Sequence, residues 1–327
     1  MSQPSTDIDL TLAICVYNKE EYISATLHTV LGQSFQDFHL LIVDDHSTDG
    51  SVEKIKNILD TARRPYELVV LEENRGIGYA RHFAERHATT KYMMFLDSDD
   101  LLYPDAIERM YGKITSDSDL MAVGCYLEYI DEKGKRIGGG LFLGEKDKDS
   151  FFEKAAAKKL IFMQPTAIYD RALALSVGGY VIDGYPEGKP RYQDYCEDLD
   201  LWTRMSDLYT DGKAIIVLPE ILCQYRKAGG LSSSTYYMIL KMRYVKENLL
   251  RRRAGEKEQS FTAFLNGLSP QIQSSLHRDA AAADSLRNGV LLIRNHHFGK
   301  GMWKVIQSIW YRPGYIAEKI RHNLLRK

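Results

Sequence analysis

The stretch that most constrains the fold is an apolar run, residues 92–96, that ends in the acids Asp97, Asp99 and Asp100. Five consecutive apolar residues are typical of a strand buried on both faces, as in a parallel sheet. Acids directly after such a strand would lie at the sheet edge where open α/β folds bind ligands. Two carboxylates one residue apart can share a divalent cation, but the same residues are common in turns and helix caps. Taken alone, the stretch leaves both interpretations open.

The sequence before this run alternates strand and helix patterns three times. Predicted strands cover residues 10–17, 38–43 and 66–71, and apolar residues at helical spacing follow each of them. The first of these helices is predicted to open at residue 18 and to run to about residue 34. Crossovers of this length predict a right-handed, doubly wound parallel sheet. Further along, the sequence predicts a helix with Pro104 in its first turn, a hairpin or mobile loop at residues 131–144, a binding loop at residues 180–195, and helices at residues 261–276 and 280–295.

The second predicted strand ends at Asp44, and the fourth ends at Asp97. Both positions belong to the carboxyl edge of a parallel sheet, where ligands bind. Gly76 and Gly78 are reminiscent of a dinucleotide-binding motif, but Arg81 takes the place of the third glycine and the turn follows the third strand. An NAD site is therefore not indicated, and the lack of a G-x-x-x-x-G-K-[ST] sequence excludes a P-loop.

The composition is that of a soluble globular protein, with 44% hydrophobic and 27% charged residues in 327. No stretch approaches the ~18 uninterrupted apolar residues that span a bilayer, and residues 1–9 lack the features of a signal peptide. The cysteines Cys15, Cys125, Cys196 and Cys223 show no metal-ligand spacing. We therefore expect reduced thiols and a cytoplasmic protein.

Charge is distributed unevenly along the chain. Residues 226–327 contain 19 Lys and Arg but 6 Asp and Glu, whereas residues 1–225 contain 24 and 38. This asymmetry predicts two regions, a domain of residues 1–232 and a basic helical region of residues 233–327. By charge alone the basic region could bind nucleic acid, anionic lipid or a phosphorylated substrate. Residues 302–327 mix aromatic and basic residues, which is typical of membrane-surface helices but also of helices that pack on their own domain or form a dimer contact.

A helix is also predicted to begin at two adjacent acids, Glu197 and Asp198, because Leu201, Met205 and Leu208 follow at helical spacing. Composition alone favours a capping role for these acids, which are routine in the first turn of a helix. The functional alternative is that one of them projects into the crevice as a general base.

In this order and spacing, the motifs resemble those of the family 2 inverting glycosyltransferases, which have a GT-A fold. The resemblance extends over about residues 9–232 and implies an α/β fold with a mostly parallel sheet flanked by helices, here followed by the helical C-terminal region. It rests on residues 16–18, 43–49, 74–81, 97–100, and 178–180 with 197–202.

The resemblance also implies roles for individual residues. Asp99, with Asp97, would bind Mg²⁺ or Mn²⁺, and Asp198 would be the general base, with Glu197 as the next candidate. Asp100 is expected to be a cap. The nucleotide-sugar pocket would be lined by Val16, Asn18, Asp44, Asp45, Arg81 and Asp97.

The sequence departs from the family pattern at three places. His82 stands where the family often has Asn, and His46 where it often has Gly. Residues 225–227 lack the His that frequently follows the Arg at this point, so Arg226 or Lys227 would have to replace it. The last departure bears directly on the metal site.

The implied function is metal-assisted transfer of a sugar, with inversion, from a nucleotide-diphosphate sugar to a hydroxyl of a glycan or lipid-linked acceptor in surface-polysaccharide assembly. We expect a cytoplasmic protein, peripheral on the inner face of the cell membrane, with no nucleic-acid partner; a homo-oligomer remains open. The alternative is a non-catalytic nucleotide-binding or scaffold protein on the same fold. A nucleotidyltransferase is disfavoured, because residues 17–22 lack a glycine-rich basic loop.

Overall fold

One mixed β-sheet forms the centre of the protein, whose computed structural model describes residues 8–227, 234–294 and 296–317. Within these residues the sheet has nine strands. They are β1 (Leu10–Val16), β2 (His39–Asp44), β3 (Glu67–Val70), β4 (Tyr92–Asp97), β5 (Leu101–Leu102), β6 (Leu120–Ile130), β7 (Arg136–Leu141), β8 (Ala167–Asp170) and β9 (Ala214–Arg226). Their order across the sheet is β3-β2-β1-β4-β8-β6-β9-β5, and β7 pairs with β6.

Helices flank the sheet and make up the C-terminal part of the described chain. They are α1 (Ile23–Leu31), α2 (Ser51–Thr61), α3 (Ile77–His87), α4 (Ala106–Thr115), α5 (Lys148–Ala156), α6 (Arg171–Ser176), α7 (Glu197–Met205), α8 (Thr235–Arg253), α9 (Phe261–Asn266), α10 (Pro270–Arg294) and α11 (Phe298–Tyr311). Short 3₁₀ turns at Tyr192–Asp194 and Ser206–Asp211 flank α7.

The first three strand–helix units and β4 confirm the predicted parallel sheet. β1 lies between β2 and β4 and is parallel to both, and β3 is parallel to β2. Every residue of β1 is buried, as expected for a strand covered on both faces. The register aligns Val16 with Asp44 and Cys15 with Asp97. Because the strand order reverses at β1, the crevice for a ligand lies at the carboxyl ends of these three strands.

The second half of the sheet is not purely parallel. β8 is antiparallel to both β4 and β6, while β9 is parallel to β6. β6 and β7 form the hairpin predicted within residues 131–144. β5 pairs with β9 through Leu101 and Leu102, which brings the chain that follows the acids 97–100 against the end of β9.

Two predicted helix starts are wrong by a few residues. The helix expected from residue 18 begins at Ile23, because the Lys19 carbonyl first accepts hydrogen bonds from the N–H groups of Tyr22 and Ile23 (both 2.9 Å) in a turn. The helix expected to contain Pro104 in its first turn begins at Ala106. Here β5 and the hydrogen bond from Tyr103 N to Leu222 O (3.0 Å) hold the preceding residues against β9.

The structure has two helices where helices were predicted at residues 261–276 and 280–295, but the boundary between them lies elsewhere. α9 ends at Asn266, and a single α10 runs from Pro270 to Arg294. Ser269 begins α10, since its Oγ accepts a hydrogen bond from Ile272 N (3.3 Å), and proline is favoured at the first helical position. No break follows residue 276, because residues 280–283 are four alanines, the strongest helix formers.

The C-terminal helices pack against the segment that precedes α7. Phe261 of α9 is fully buried and contacts Tyr244 of α8. Tyr185 and Tyr192 reach the same ring, with ring centroids 5.3 and 4.8 Å away. The basic helical region therefore shares a hydrophobic cluster with the preceding part of the chain. The predicted domain boundary, between residues 232 and 233, lies within residues 228–233, which are outside the described residues.

Each described helix is too short or too polar to cross a membrane. The four cysteines are buried free thiols, and burial raises the pKa of Cys15 to about 12. A buried thiol whose pKa is raised in this way is a poor nucleophile near neutral pH.

Candidate active site

Asp44, at the end of β2, has one carboxylate oxygen in use and one without a partner. Asp44 is fully buried, and its Oδ2 accepts a hydrogen bond from Ser47 N (2.9 Å). Its Oδ1 is also buried, and no described group donates to it. A buried acceptor without a partner is costly. A ligand N–H group would satisfy Asp44, which suits its predicted role at the nucleotide base.

Asn18, after β1, faces the same loop. It has a left-handed backbone (φ 50°), and its Oδ1 accepts a hydrogen bond from Thr48 N (2.8 Å). Its own N–H donates to Ser47 Oγ (2.9 Å), while Val16 O accepts a hydrogen bond from Asp45 N (2.7 Å). The two loops that would surround the base are therefore fixed to each other.

Asp45 anchors the turn before α3. Its carboxylate accepts hydrogen bonds from Asn74 Nδ2 (2.7 Å), Arg75 N (2.8 Å) and Gly76 N (2.8 Å). Burial raises the pKa of this carboxyl, and the backbone donors act in the opposite direction. Asp45 therefore holds the turn in place, whereas the adjacent Asp44 has a carboxylate oxygen without a partner. A contact between Asp45 and the nucleotide stays a prediction.

The segment between α6 and α7 docks on this same turn, through residues that the sequence did not single out. Asp194 Oδ1 accepts a hydrogen bond from Gly78 N (2.9 Å), and Arg191 Nη2 donates to Asn74 O (2.5 Å). Burial raises the pKa of Asp194 to about 6. Residues 180–195 were predicted only as a binding loop, since side-chain contacts across more than 100 residues leave no periodic pattern.

Arg81 joins the two groups of acids that the sequence predicts to be functional. Its guanidinium is buried, with Nη2 2.5 Å from Asp97 Oδ1 and Nη1 2.5 Å from Glu197 Oε1. The end of β4 and the start of α7 are thereby held on either side of one cation. Arg81 was predicted to help place the nucleotide; in the structure its charge is shared by two protein carboxylates.

Asp99 and Asp100 have different surroundings. Asp99 Oδ2 forms an ion pair with Lys19 Nζ and remains partly exposed. Asp100 is 2% exposed, and its Oδ1 accepts a hydrogen bond from Arg226 N (2.9 Å). The prediction that Asp100 is a helix cap is therefore wrong: it binds the end of β9, and α4 begins six residues later, at Ala106, after its N-cap residue Asp105.

Arg226 holds the hairpin and the acidic motif together. Its Nε donates to Asp99 O (2.8 Å), and its Nη1 donates to the carbonyls of Asp131 and Glu132 (both 2.9 Å). Lys227 instead lies over the Tyr129 ring, 4.5 Å from its centroid, and burial lowers its pKa. The Nε and Nη1 groups of Arg226 thus bind backbone carbonyls, and its replacement of the family histidine stays a prediction.

The acids of α7 lie in its first turn, and the N-cap position belongs to Cys196, which has a left-handed backbone (φ 51°). Backbone N–H groups of this first turn donate hydrogen bonds to both carboxylates, so the role that composition favoured, satisfying the free N–H groups at the helix start, is confirmed for both acids. Burial raises the pKa of Glu197 to about 8, with Arg81 acting in the opposite direction. Burial also raises the pKa of Asp198, again opposed by Arg81. Asp198 forms no ion pair with any described residue, whereas Glu197 and Asp200 pair with Arg81 and Arg204.

The acids at the end of β4 fit a cation that arrives with a diphosphate. Among the described residues, no group of three or more His, Cys, Asp or Glu is arranged to hold a metal ion. Mg²⁺ and similar hard cations commonly take one or two carboxylates and complete their shell with substrate phosphates and water. Asp97 and Asp99 supply that number of carboxylates at the ligand edge of the sheet.

The family of the chain is decided by comparison with family models. Residues 11–174, about half of the chain, match the model of glycosyl transferase family 2. The chain belongs to this family. The matched part includes Asp44, Arg81 and the acids after β4, while α7 with Glu197 and Asp198 lies beyond it.

Curated relatives of this family 2 glycosyltransferase include an uncharacterized glycosyltransferase of Haemophilus influenzae. It is 24% identical over 306 residues, which cover 92% of this chain and 84% of the relative. Another relative is a teichoic acid poly(glycerol phosphate) polymerase of Staphylococcus epidermidis, 34% identical over 162 residues. That alignment covers 47% of this chain and only 22% of the longer polymerase.

Solved structures confirm the predicted GT-A fold. Residues 1–349 of Staphylococcus aureus TarS, in complex with UDP-GlcNAc, match with a TM-score of 0.55 at 19% identity, covering 95% of this chain and 92% of that one. The mannosyltransferase PcManGT of Pyrobaculum calidifontis, in complex with GDP-Man and Mn²⁺, matches with a TM-score of 0.52 at 20% identity, covering 95% and 88%.

Proposed function

We propose that this glycosyltransferase transfers a sugar from a nucleotide-diphosphate sugar to a hydroxyl of a glycan or lipid-linked acceptor during surface-polysaccharide assembly. The observation that carries the proposal is the bridge made by Arg81, which places the acids after β4 and the first turn of α7 around one crevice. One side of such a site suits a diphosphate and its cation, and the other suits a general base.

The donor is a nucleotide-diphosphate sugar. The buried Oδ1 of Asp44 offers an acceptor without a partner to an N–H group of the base, beside Val16 and Asn18. The bound UDP-GlcNAc and GDP-Man of the two structural neighbours support this class of donor. They differ in both base and sugar, so the identity of either is left to experiment.

The proposed cation is Mg²⁺ or Mn²⁺, held by Asp99 and Asp97. When bound, such an ion neutralises negative charge on the leaving diphosphate. The Mn²⁺ in the mannosyltransferase structure supports a divalent cation. The protein's own contribution is to hold one carboxylate at the last residue of β4 and the other two residues later.

Asp198 is the proposed general base. A carboxyl whose pKa is raised by burial accepts a proton more readily near neutral pH than an exposed one. Because Asp198 has no counter-ion among the described residues, it is free to take the proton of an acceptor hydroxyl. Glu197, held by Arg81, is the second candidate. A base opposite the leaving group gives a single displacement with inversion and needs no covalent sugar–enzyme intermediate.

The helix α11 supports a membrane-surface location near a lipid-linked acceptor. It packs on α10 through small residues: Ser308 Oγ donates to Ala282 O (2.8 Å), and Gly301 lies against Gly289. Its other face is apolar and exposed, with Trp303 60% and Trp310 79% exposed. The further members of this face are Phe298, Met302, Ile306 and Ile309.

The charge of this helix suits the surface of an anionic bilayer. α11 contains Lys300 and Lys304 and no acidic residue. Interfacial tryptophans with adjacent lysines are typical of helices that lie on anionic membranes. The rest of the predicted membrane segment, residues 318–327, lies outside the described residues.

Flotation with phosphatidylglycerol vesicles tests the membrane face. The wild-type protein should float, and the Trp303→Ser/Trp310→Ser double variant should remain at the bottom of the gradient. Val70→Ser, which changes a half-exposed apolar residue on the opposite edge of the sheet, is the matched control. Flotation of the double variant at the wild-type level would contradict membrane docking, and a dimer lost only in this variant would indicate a self-association surface.

Transfer activity is tested by screening nucleotide sugars for released nucleoside diphosphate, with and without Mn²⁺. Release from one donor, greater in the presence of Mn²⁺ and increased by a glycan or lipid-linked acceptor, is the expected result. If every donor remains intact while nucleotides still bind, the non-catalytic nucleotide-binding alternative is correct instead.

A further inference from the structure

Lys19 occupies the position where a cation bound to Asp99 would be expected. Its Nζ forms an ion pair with Asp99 Oδ2, although the two residues are 80 positions apart. Both side chains are partly accessible, with 29% of Lys19 and 19% of Asp99 exposed. The ammonium group is therefore close to the carboxylate predicted to bind metal and is in contact with solvent.

The backbone of Lys19 is fixed by several contacts. Its N–H donates to Ser51 Oγ (2.8 Å), and its carbonyl accepts the two hydrogen bonds that begin the turn before α1. The preceding Asn18 has the left-handed conformation that turns the chain at the end of β1. Only the four-carbon side chain remains to move, and such a flexible stem lets an ammonium group exchange partners.

The other cation at the end of β4 cannot exchange so readily. Arg81 is almost fully buried and binds two carboxylates at once, Asp97 and Glu197. Moving it would leave the largely buried Glu197 and the partly exposed Asp97 both unpaired, and the buried Arg81 charge would lose two partners at once. Lys19 has a single carboxylate partner, so moving it uncovers only Asp99.

We propose that Lys19 is the counter-ion of Asp99 in the donor-free enzyme and moves to the donor diphosphate when a divalent cation binds Asp99. An ammonium group and a divalent cation repel each other at one carboxylate. The diphosphate that arrives with the cation supplies new negative charge within reach of the same side chain. Lys19 is then a donor-binding residue, and its exchange couples cation binding to donor binding. This inference rests on the proposed function for the identity of the donor.

The test is a titration of the purified, donor-free protein with Mn²⁺ alone, in which electron paramagnetic resonance measures free Mn²⁺. Lys19→Met should bind Mn²⁺ roughly tenfold more tightly than the wild type, because a competing positive charge next to a partly buried carboxylate is removed. Lys19→Arg should restore the wild-type affinity. Lys54→Met, which removes an exposed ammonium group paired with Glu20 at 3.3 Å, is the control and should change nothing.

A second titration with UDP and GDP, in the presence of saturating Mn²⁺, should give the opposite effect. Lys19→Met should bind the diphosphate roughly tenfold more weakly, because it lacks the ammonium group that moves to it. If Lys19→Met and the wild type bind Mn²⁺ with equal affinity, or if neither binds it, the proposed exchange of Lys19 is wrong. The Mn²⁺ titration needs no sugar transfer, so it can succeed or fail separately from the proposed function.

Discussion

Arg81 Nη1 lies 2.5 Å from Glu197 Oε1, which joins α3 to the first turn of α7 across 116 residues of sequence. The same guanidinium binds Asp97 at 2.5 Å. Arg81 thereby fixes the distance between the acids predicted to serve the donor and those predicted to serve the acceptor. The arrangement of the site therefore depends on this ion-pair network as well as on the strand ends.

We expect Arg81→Met to lower the free energy of unfolding by about 3–5 kcal/mol, because two largely buried carboxylates would lose their shared cation. Urea denaturation at pH 7 measures this loss. Arg109→Met is the matched control: its guanidinium is half exposed and pairs with Asp105 and Glu220, so solvent screens these pairs and its loss should change stability far less. Equal stability of the two variants would show that the Arg81 network contributes no more than a surface pair.

Gly76→Ala should destabilise the turn before α3. Gly76 has φ +93°, and a Cβ at this position would lie 2.3 Å from Asp194 Oδ2. The substitution strains the backbone and displaces the segment that carries Asp194, so we expect a loss of about 1–3 kcal/mol together with weaker donor binding. Gly112→Ala in α4 meets no atom within 4 Å and should leave stability unchanged or raise it by up to about 1 kcal/mol. Thermal unfolding of both variants distinguishes the two sites.

Asp194 should make the stability of the protein depend on pH. Burial raises its pKa from 3.8 to about 6, so between these values the folded state holds more protons than the unfolded state. Stability that comes from the protonated carboxyl is therefore lost as pH rises from about 4 to about 6. Asp194→Asn cannot ionise, and its amide oxygen can still accept the hydrogen bond from Gly78.

Urea denaturation of the wild type and Asp194→Asn at pH 4 and pH 7 checks this prediction. The unfolding free energy of the wild type should fall relative to the variant by roughly 2–3 kcal/mol over this range, since each unit of pKa shift corresponds to about 1.4 kcal/mol. A constant difference between the two proteins would mean that Asp194 ionises in the folded protein as it does in the unfolded chain.

The anomeric configuration of the product should be opposite to that of the donor. A single displacement with a base on the far face of the sugar inverts the reacting carbon, so an α-linked donor should give a β-glycoside. NMR of the purified product determines this from the one-bond coupling constant between the anomeric carbon and its proton, which differs between α- and β-glycosides. A product with the donor's configuration would rule out the single displacement and would require a nucleophile that the proposed site does not assign.

The part of the fold that the sequence predicted best is the parallel half of the sheet. Buried apolar runs and helical spacing located β1 to β4, and the rule that carboxyl ends share one edge brought Asp44 and Asp97 together on either side of β1. Sequence patterns did not reveal β5 or the antiparallel pairing of β8, because two and four residues are too few to show a period.

The contacts that complete the site were beyond sequence reasoning. Lys19 and Asp99 pair across 80 residues, and Asp194 reaches Gly78 across 116. Side-chain partners of this kind depend on how the loops fold, and no local pattern encodes them. The boundary between α9 and α10, by contrast, was predicted wrongly although the sequence contains signals for it. Gly267 is an ordinary signal for the end of one helix, and the Ser269–Pro270 pair is an ordinary signal for the start of the next.

The most direct test of the central claim is the turnover of Asp198→Asn, measured as released nucleoside diphosphate with the donor and acceptor that the wild type uses. We predict that kcat falls by roughly 10²–10⁴-fold, the contribution typical of a general base, while the affinity for the nucleoside diphosphate stays within about twofold of wild type. Glu197→Gln should lose less activity, since its amide oxygen can still accept from Arg81. Wild-type turnover by Asp198→Asn would contradict the assignment of Asp198 as the base.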